Sequence, residues 1–231
     1  VAKLGAARGY KVCVNYARNK KAAQAVVDSI RDAGGEAIMA HADVAEEADV
    51  KAMFRLADQE LGPVTALVNN AGIIDQSGKV ASMTAERINR ILAVNVTGSF
   101  ICAREAARRM STAHGGQGGA IVNVSSAAAR LGSPNEFVDY AASKGAMDTF
   151  TIGLAKELAV EGIRVNAVRP GLIDTEIHAA AGDAERVERF RTAVPMQRVG
   201  TALEVAEAVL WLLSDSASYV TGSFVDVAGG R

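Results

Sequence analysis

The chain has little of what staples, anchors or unbalances a protein. It holds only two cysteines, Cys13 and Cys102, both in apolar surroundings. That excludes a disulfide scaffold and a Cys-based zinc site, and suits a reducing, cytoplasmic setting. Its three histidines, His41, His114 and His178, lack ligand-like spacing, so no metal is expected. Neither sign of charge dominates: 25 Lys and Arg stand against 26 Asp and Glu, for a net charge of -1. A generally basic nucleic-acid binder is therefore excluded, and only a local patch is left open. No apolar run approaches the roughly 18 residues that a transmembrane helix needs. The first ten residues carry Lys3 and Arg8 and no apolar segment, so no secretory leader is expected there. There is no internal repeat and no linker rich in Pro or Ser, so one domain over residues 1–231 is expected.

What is present is an ordinary globular mixture, 49% hydrophobic and 22% charged, long enough to bury a core. Short strands are predicted at Lys11–Asn15, Glu36–His41, Thr65–Val68, Ala120–Val124, Arg164–Val168 and Phe224–Val227. Between them lie helical stripes. Ala23, Val26, Val27 and Ile30 precede Gly34-Gly35, and Val50, Met53, Phe54, Ala57 and Leu61 precede Gly62-Pro63. Further helices are predicted over Thr84–His114, with a break near Asn95, over Phe137–Val160 and over Ala202–Leu213, where Trp211 is expected in the core. Alternating strands and helices imply an α/β doubly wound parallel sheet, Rossmann-like, with helices on both faces. Such sheets bind ligands at the carboxyl ends of their strands.

Those strand ends carry polar pieces in a telling order. Asn69-Asn70-Ala71-Gly72 comes first, then Ser125-Ser126, then Tyr140 and Lys144 four apart on a helix. Arg169-Pro170-Gly171-Leu172-Ile173-Asp174-Thr175 follows. Each piece alone is an ordinary turn or surface pair, but the set is not. It resembles the short-chain dehydrogenase/reductase family along the whole chain, including the tail Ser218–Gly230.

The resemblance implies that Asn95, Ser126, Tyr140 and Lys144 carry the chemistry. Ser126 fits the family spacing to Tyr140 better than Ser125, which is left to brace the turn. Asn70, Ala71 and Gly72 would lie beside a nicotinamide cofactor, as would Pro170 and Gly171. Ile173 and Thr175 would grip its carboxamide. Asp43 would meet the adenine amino group, unless it is simply an acid at a helix start. Lys144 would also reach the nicotinamide ribose. A mobile lid over the substrate is implied for about residues 174–198, including His178, Phe190 and Met196. A homotetramer is implied as well, built partly on the long helices Thr84–His114 and Phe137–Val160, where the small residues Ala141, Ala142, Ser143, Gly145 and Ala146, beside Met147 and Phe150, make an interface plausible.

The residues support that chemistry in their own right. A free tyrosine has a pKa of about 10 and is a poor base at neutral pH. A lysine one turn away is expected to lower it. Tyr140 would then exchange a proton with a carbonyl or alcohol oxygen that Ser126 orients. Asn95, at the helix break, would hold a water linking Lys144 to solvent. A hydride must come from a cofactor. The stretch Asn15–Lys21 has no carboxylate for a ribose 2′-hydroxyl but does have Arg18, Lys20 and Lys21. That favours NADP, with NAD or a merely solvated basic turn as the alternatives.

One part of the pattern is missing. No glycine-rich phosphate turn precedes the first helix, and the first, central strand is expected to be absent from the given chain. The stretch Gly115–Gly119 is no substitute, since it follows a helix and precedes a strand. The sequons at Asn95 and Asn123 are expected to be buried and unused. The reading is therefore an NADP-dependent oxidoreductase of ketones or secondary alcohols. Resemblance to 3-oxoacyl carrier-protein reductases and to sugar dehydrogenases is about equal. The alternative is an inactive module that kept the fold for binding or assembly.

Overall fold

Periodicity in the sequence becomes burial in the structure. A computed structural model describes residues 1–175 and 189–231. Helix α1 (Ala2–Ala7) leads into strand β1 (Val12–Tyr16). In α2 (Lys20–Asp32) the Asn19 side chain caps the first turn by accepting from the Ala22 amide, and Ala23, Val27 and Ile30 are buried. Strand β2 (Ala37–His41) is followed by α3 (Glu47–Leu61), which buries Val50, Phe54 and Ala57 and stops at Gly62. Gly62 has φ 88°, a left-handed conformation that favours glycine.

Strand β3 (Ala66–Asn69) precedes α4 (Ala85–Leu92). The expected break near Asn95 is a π-helical turn over Ala93–Thr97, which feeds α5 (Gly98–Met110). Strand β4 (Gly119–Val124), the short α6 (Ala128–Leu131), the long α7 (Val138–Leu158) and β5 (Ile163–Pro170) come next. A two-residue ladder joins β6 (Ile173–Asp174) to β7 (Gly200–Thr201). Helix α8 (Ala202–Leu213) starts with a Thr201–Glu204 capping box, and β8 (Phe224–Val227) ends the order.

Strands β3, β4, β5 and β8 form one parallel sheet in that order, and β1 and β2 form a parallel pair. Side chains alternate across β4. Ile121 joins Phe54, Cys102, Met110 and Leu158 on one face, while Ala120 and Val122 join Val209, Leu210 and Leu212 on the other. Helices thus cover both faces, as the strand–helix alternation predicts.

Strands β1 and β3 do not pair. Between them lies a cavity of about 690 Å³, lined by Val12–Asn15 on one side and Thr65–Asn69 on the other, with Phe54, Cys102 and Leu210 among its walls. The sheet is interrupted where the sequence reading expects a missing central strand.

Three expectations need correction. Trp211 is 41% exposed and not core. Trp211 stands four residues after Glu207 and seven after Glu204, on the outward face of α8, while Val205, Val209, Leu210 and Leu212 take the inside. Strand β1 sits one residue later than predicted, and β5 runs two residues further, to Pro170. On α7, Ala141, Ser143 and Met147 are buried within this chain. The outward surface is instead Ala142, Thr149, Ile152 and Gly153. There Phe150 stacks on Phe100 with centroids 3.7 Å apart.

Candidate active site

Strand β4 and helix α7 bring three of the four expected catalytic side chains together. Lys144 and Tyr140 share one face of α7, with Lys144 Nζ 5.6 Å from the Tyr140 ring centroid. Just beyond the end of β4, Ser126 stands beside the Tyr140 phenol, and its Oγ accepts from the Ala128 amide at 3.1 Å. Lys144 is 5% exposed, and its ammonium donates to the Val124 carbonyl at 2.7 Å.

The frame beneath is a chain of buried side-chain amides and hydroxyls. Asn69 Nδ2 donates to Asn123 Oδ1 at 2.9 Å, and Asn123 Nδ2 donates to Thr151 Oγ1 at 2.9 Å. Two strands and α7 are thereby tied at fixed register. Asn123 and Asn95 are both buried, as expected for the two sequons.

Asn95 is committed differently from expectation. Its Oδ1 accepts from the Ile73 amide at 2.7 Å, and its Nδ2 donates to the Ile73 carbonyl at 2.9 Å and to Ser143 Oγ at 3.0 Å. Both amide protons are used, so the side chain fastens the loop after β3 to α7. A Cβ added at Gly72 would lie 3.4 Å from Asn95 Oδ1 and 3.6 Å from Lys144 Nζ, so this loop passes directly over the lysine.

Burial sets the electrostatics. It pushes the Tyr140 phenol above its ordinary value, and the Ser126 hydrogen bond pulls the other way. The expected lowering by Lys144 is thus overturned for the chain by itself. Burial also pulls the Lys144 ammonium down to about 8, with Asp148 opposing. Tyr140 is accordingly a neutral acid at neutral pH. The thiols are pushed up by burial, Cys13 to about 11 and Cys102 to about 12, and neither is a poised nucleophile.

The expected cofactor residues line the same edge of the sheet. Asn70 and Ala71 are exposed at the end of β3, at one end of the cavity. Gly171 follows β5 and passes so close to the residue after β8 that a Cβ would sit 2.7 Å from Ala228 Cα, which only glycine allows. Pro170 closes β5, Ile173 is buried in β6, and Thr175 is exposed. Arg18, Lys20 and Lys21 are exposed around the start of α2 and make no ion pair among the described residues. Asp43 is half-buried. Its Oδ1 accepts from the Ala45 amide at 3.0 Å, a turn-bracing bond that serves the approach to α3. Residues 176–188 of the expected lid, with His178, lie outside the described residues. Among the described residues, no group of three His, Cys, Asp or Glu could hold a metal ion.

Several residues escaped the sequence reading. Arg87 on α4 donates to both oxygens of Asp139, at 2.7 and 3.3 Å, and to the Gln76 carbonyl at 2.7 Å. Asp139 in turn accepts from the Tyr140 amide at 2.9 Å. Ser125 Oγ donates to Asp148 at 2.6 Å, and Arg169 closes on the same carboxylate at 2.8 Å. The one available signal was spacing: acids stand immediately before Tyr140 and four residues after Lys144.

These residues suit a nicotinamide dinucleotide at two places. A bare glycine backbone lies over Lys144, and three cations without ion pairs among the described residues stand beyond β1. The amide donors that a pyrophosphate takes from a glycine-rich turn are not among them.

The family model described as Enoyl-(Acyl carrier protein) reductase matches residues 1–231. An Escherichia coli (strain K12) protein, "Uncharacterized oxidoreductase YgfF", is 59% identical over 228 residues, 99% of this chain and 92% of that protein. A Staphylococcus aureus 3-oxoacyl-[acyl-carrier-protein] reductase, FabG, is 36% identical over 97% of this chain and 89% of its own. Among solved structures, a short-chain type dehydrogenase/reductase from Mycobacterium marinum superposes with TM-score 0.93 at 35% identity, covering 100% of this chain and 89% of that one. A dehydrogenase/reductase from Sinorhizobium meliloti 1021 gives TM-score 0.91 at 32% identity, covering 99% and 88%. With strand ends, fold and relatives in agreement, this chain belongs to the short-chain dehydrogenase/reductase family and is an NAD(P)-dependent oxidoreductase.

Proposed function

We propose that the protein interconverts a ketone and its secondary alcohol with NADP(H), using Tyr140 as acid and base. The observation that carries this reading is the contact of the Tyr140 phenol with Ser126, one helical turn from the buried ammonium of Lys144. Bound against this edge of the sheet, NADPH supplies the hydride that no side chain can. Ser126 donates a hydrogen bond to the substrate oxygen and holds it against the phenol. Tyr140 gives that oxygen its proton as negative charge develops there. Lys144 stabilises the phenolate left behind. Asn95 keeps the Gly72 loop over the lysine.

Arg18, with Lys20 and Lys21, would hold a ribose 2′-phosphate, and Asp43 the adenine. Asn70, Ala71, Gly72, Pro170, Gly171, Ile173 and Thr175 would line the nicotinamide half, with Lys144 on its ribose. The segment about residues 174–198 would cover the substrate within a single domain. We read the working unit as a cytoplasmic homotetramer: Phe100 is 48% exposed and stacked on Phe150, and Gly145 and Gly153 leave open space beside them. Among the described residues, no helix is long and apolar enough to cross a membrane.

The test is a panel of ketones, 3-oxoacyl thioesters and sugar alcohols, each assayed with NADPH and NADH. Turnover with at least one carbonyl and NADPH is expected. No turnover with either cofactor overturns the reading.

A further inference from the structure

Next to the proton-transfer pair lies a second, unassigned group of side chains. Ser125, Asp148 and Arg169 come from β4, α7 and β5. Ser125 is buried, and the Asp148 and Arg169 side chains are 13% and 15% exposed. Ser125 Oγ lies 2.6 Å from Asp148 Oδ1 and 3.2 Å from the Lys144 carbonyl. Arg169 meets Asp148 Oδ2 through Nη2 at 2.8 Å and through Nε at 3.0 Å. The Arg169 guanidinium lies 3.9 Å over the Phe224 ring and 3.9 Å from Asp226, so it is fixed from behind.

Two consecutive residues at the end of β4 each hold a different part of α7. Val124 takes the Lys144 ammonium and Ser125 takes Asp148, while Ser126 next to them faces Tyr140. We propose that Asp148, clasped by Ser125 and Arg169, is a positioning residue that sets the charge state of Lys144 and holds the strand end against the helix. The inference rests on the reading of Tyr140 and Lys144 as the proton-transfer pair.

Asp148 is the charge that acts on Lys144 directly. On its own helix Lys144 has Tyr140 and Asp148 for neighbours, and on β5 Arg169 holds that carboxylate, with Asp226 of β8 behind it. The π-helical turn and the loop after β3 present neutral Asn95 and Gly72. On the α4 side, Arg87 and Asp139 are closed on each other. The Asp148 carboxylate opposes the loss of the Lys144 proton that burial favours.

The two partners should therefore act in opposite directions. Asp148→Asn removes the anion beside Lys144 and leaves Arg169 only the longer contact with Asp226, so Lys144 should lose its proton at lower pH. Arg169→Met leaves the anion unneutralised, so Lys144 should keep its proton to higher pH. Lys144 titration in the cofactor-free protein, followed by NMR of 13C-labelled lysine and assigned with Lys144→Met, should shift by about half a unit or more each way. The alkaline limb of the pH profile for carbonyl reduction should move in the same two directions. A purely structural role would lower activity in both variants without opposite shifts. If Asp148→Asn fails to fold, Arg169→Met alone decides the matter. Unchanged Lys144 titration, or shifts of the same sign, overturns the proposal. Opposite shifts in a protein that reduces no carbonyl would support the clasp and sink the catalytic reading instead.

Discussion

Ser125 Oγ donates to Asp148 Oδ1 at 2.6 Å across the seam between β4 and α7, while Ser126, one residue later, faces the Tyr140 phenol. Two adjacent serines thus face different partners, one at the reacting edge and one in the frame. Replacing Tyr140 with Phe should keep the ring and remove the proton. Turnover is expected to fall to less than about a tenth of wild type, with cofactor affinity nearly unchanged. Steady-state kinetics and a fluorescence titration with NADPH check both halves.

The lysine gives a pH signature in stability. Its folded-state value, about 8, lies below the ordinary 10.5. Between those values the unfolded chain binds a proton that the folded chain has lost, so this group adds stability as pH rises through the window. It adds nothing further above 10.5, and the gain is absent below 8. The raised Cys13 and Cys102 thiols work in reverse as pH climbs past 9. Comparing wild type with Lys144→Met cancels them. Urea midpoints from pH 7 to 10.5 should show wild type gaining on the variant, by on the order of 3 kcal/mol at most.

Cofactor preference should follow the cations beyond β1. Arg18→Asp places a carboxylate where a 2′-phosphate would lie and where a 2′-hydroxyl would be accepted. The ratio of NADPH to NADH affinity should fall by about tenfold or more, the equivalent of one charge-assisted hydrogen bond. Competitive titration reads the ratio directly, and equal affinities in wild type would remove the NADP assignment.

Assembly should depend on the stacked pair on the outer surface. Phe100→Asp puts a charge on an apolar face that is half exposed in the single chain. Light scattering at micromolar concentration should show a tetramer for wild type and smaller species for the variant. A wild-type monomer with full activity would refute the interface.

Much of this architecture was legible in the sequence, because strands and helices announce themselves by period. Strand β8 falls where it was predicted, and Tyr140 and Lys144 share a helix face as their spacing implied. What spacing could not supply was pairing across distance. Arg87 meets Asp139 from 52 residues away, and Arg169 reaches Asp148 from the next strand. The direction of the Tyr140 shift also depended on burial, which a list of neighbouring charges does not contain. Trp211 went to the surface because it shares a helix face with Glu204 and Glu207, a spacing that its apolar character masked.

The ladder through β4 bears on how the chain comes apart. Strands β4 and β5 each have a ladder partner on both sides. Their backbone amides should be the slowest to exchange with deuterium. Lys144 and Thr151 of α7 are fastened to β4, so the reacting edge should be among the last parts of the chain to open.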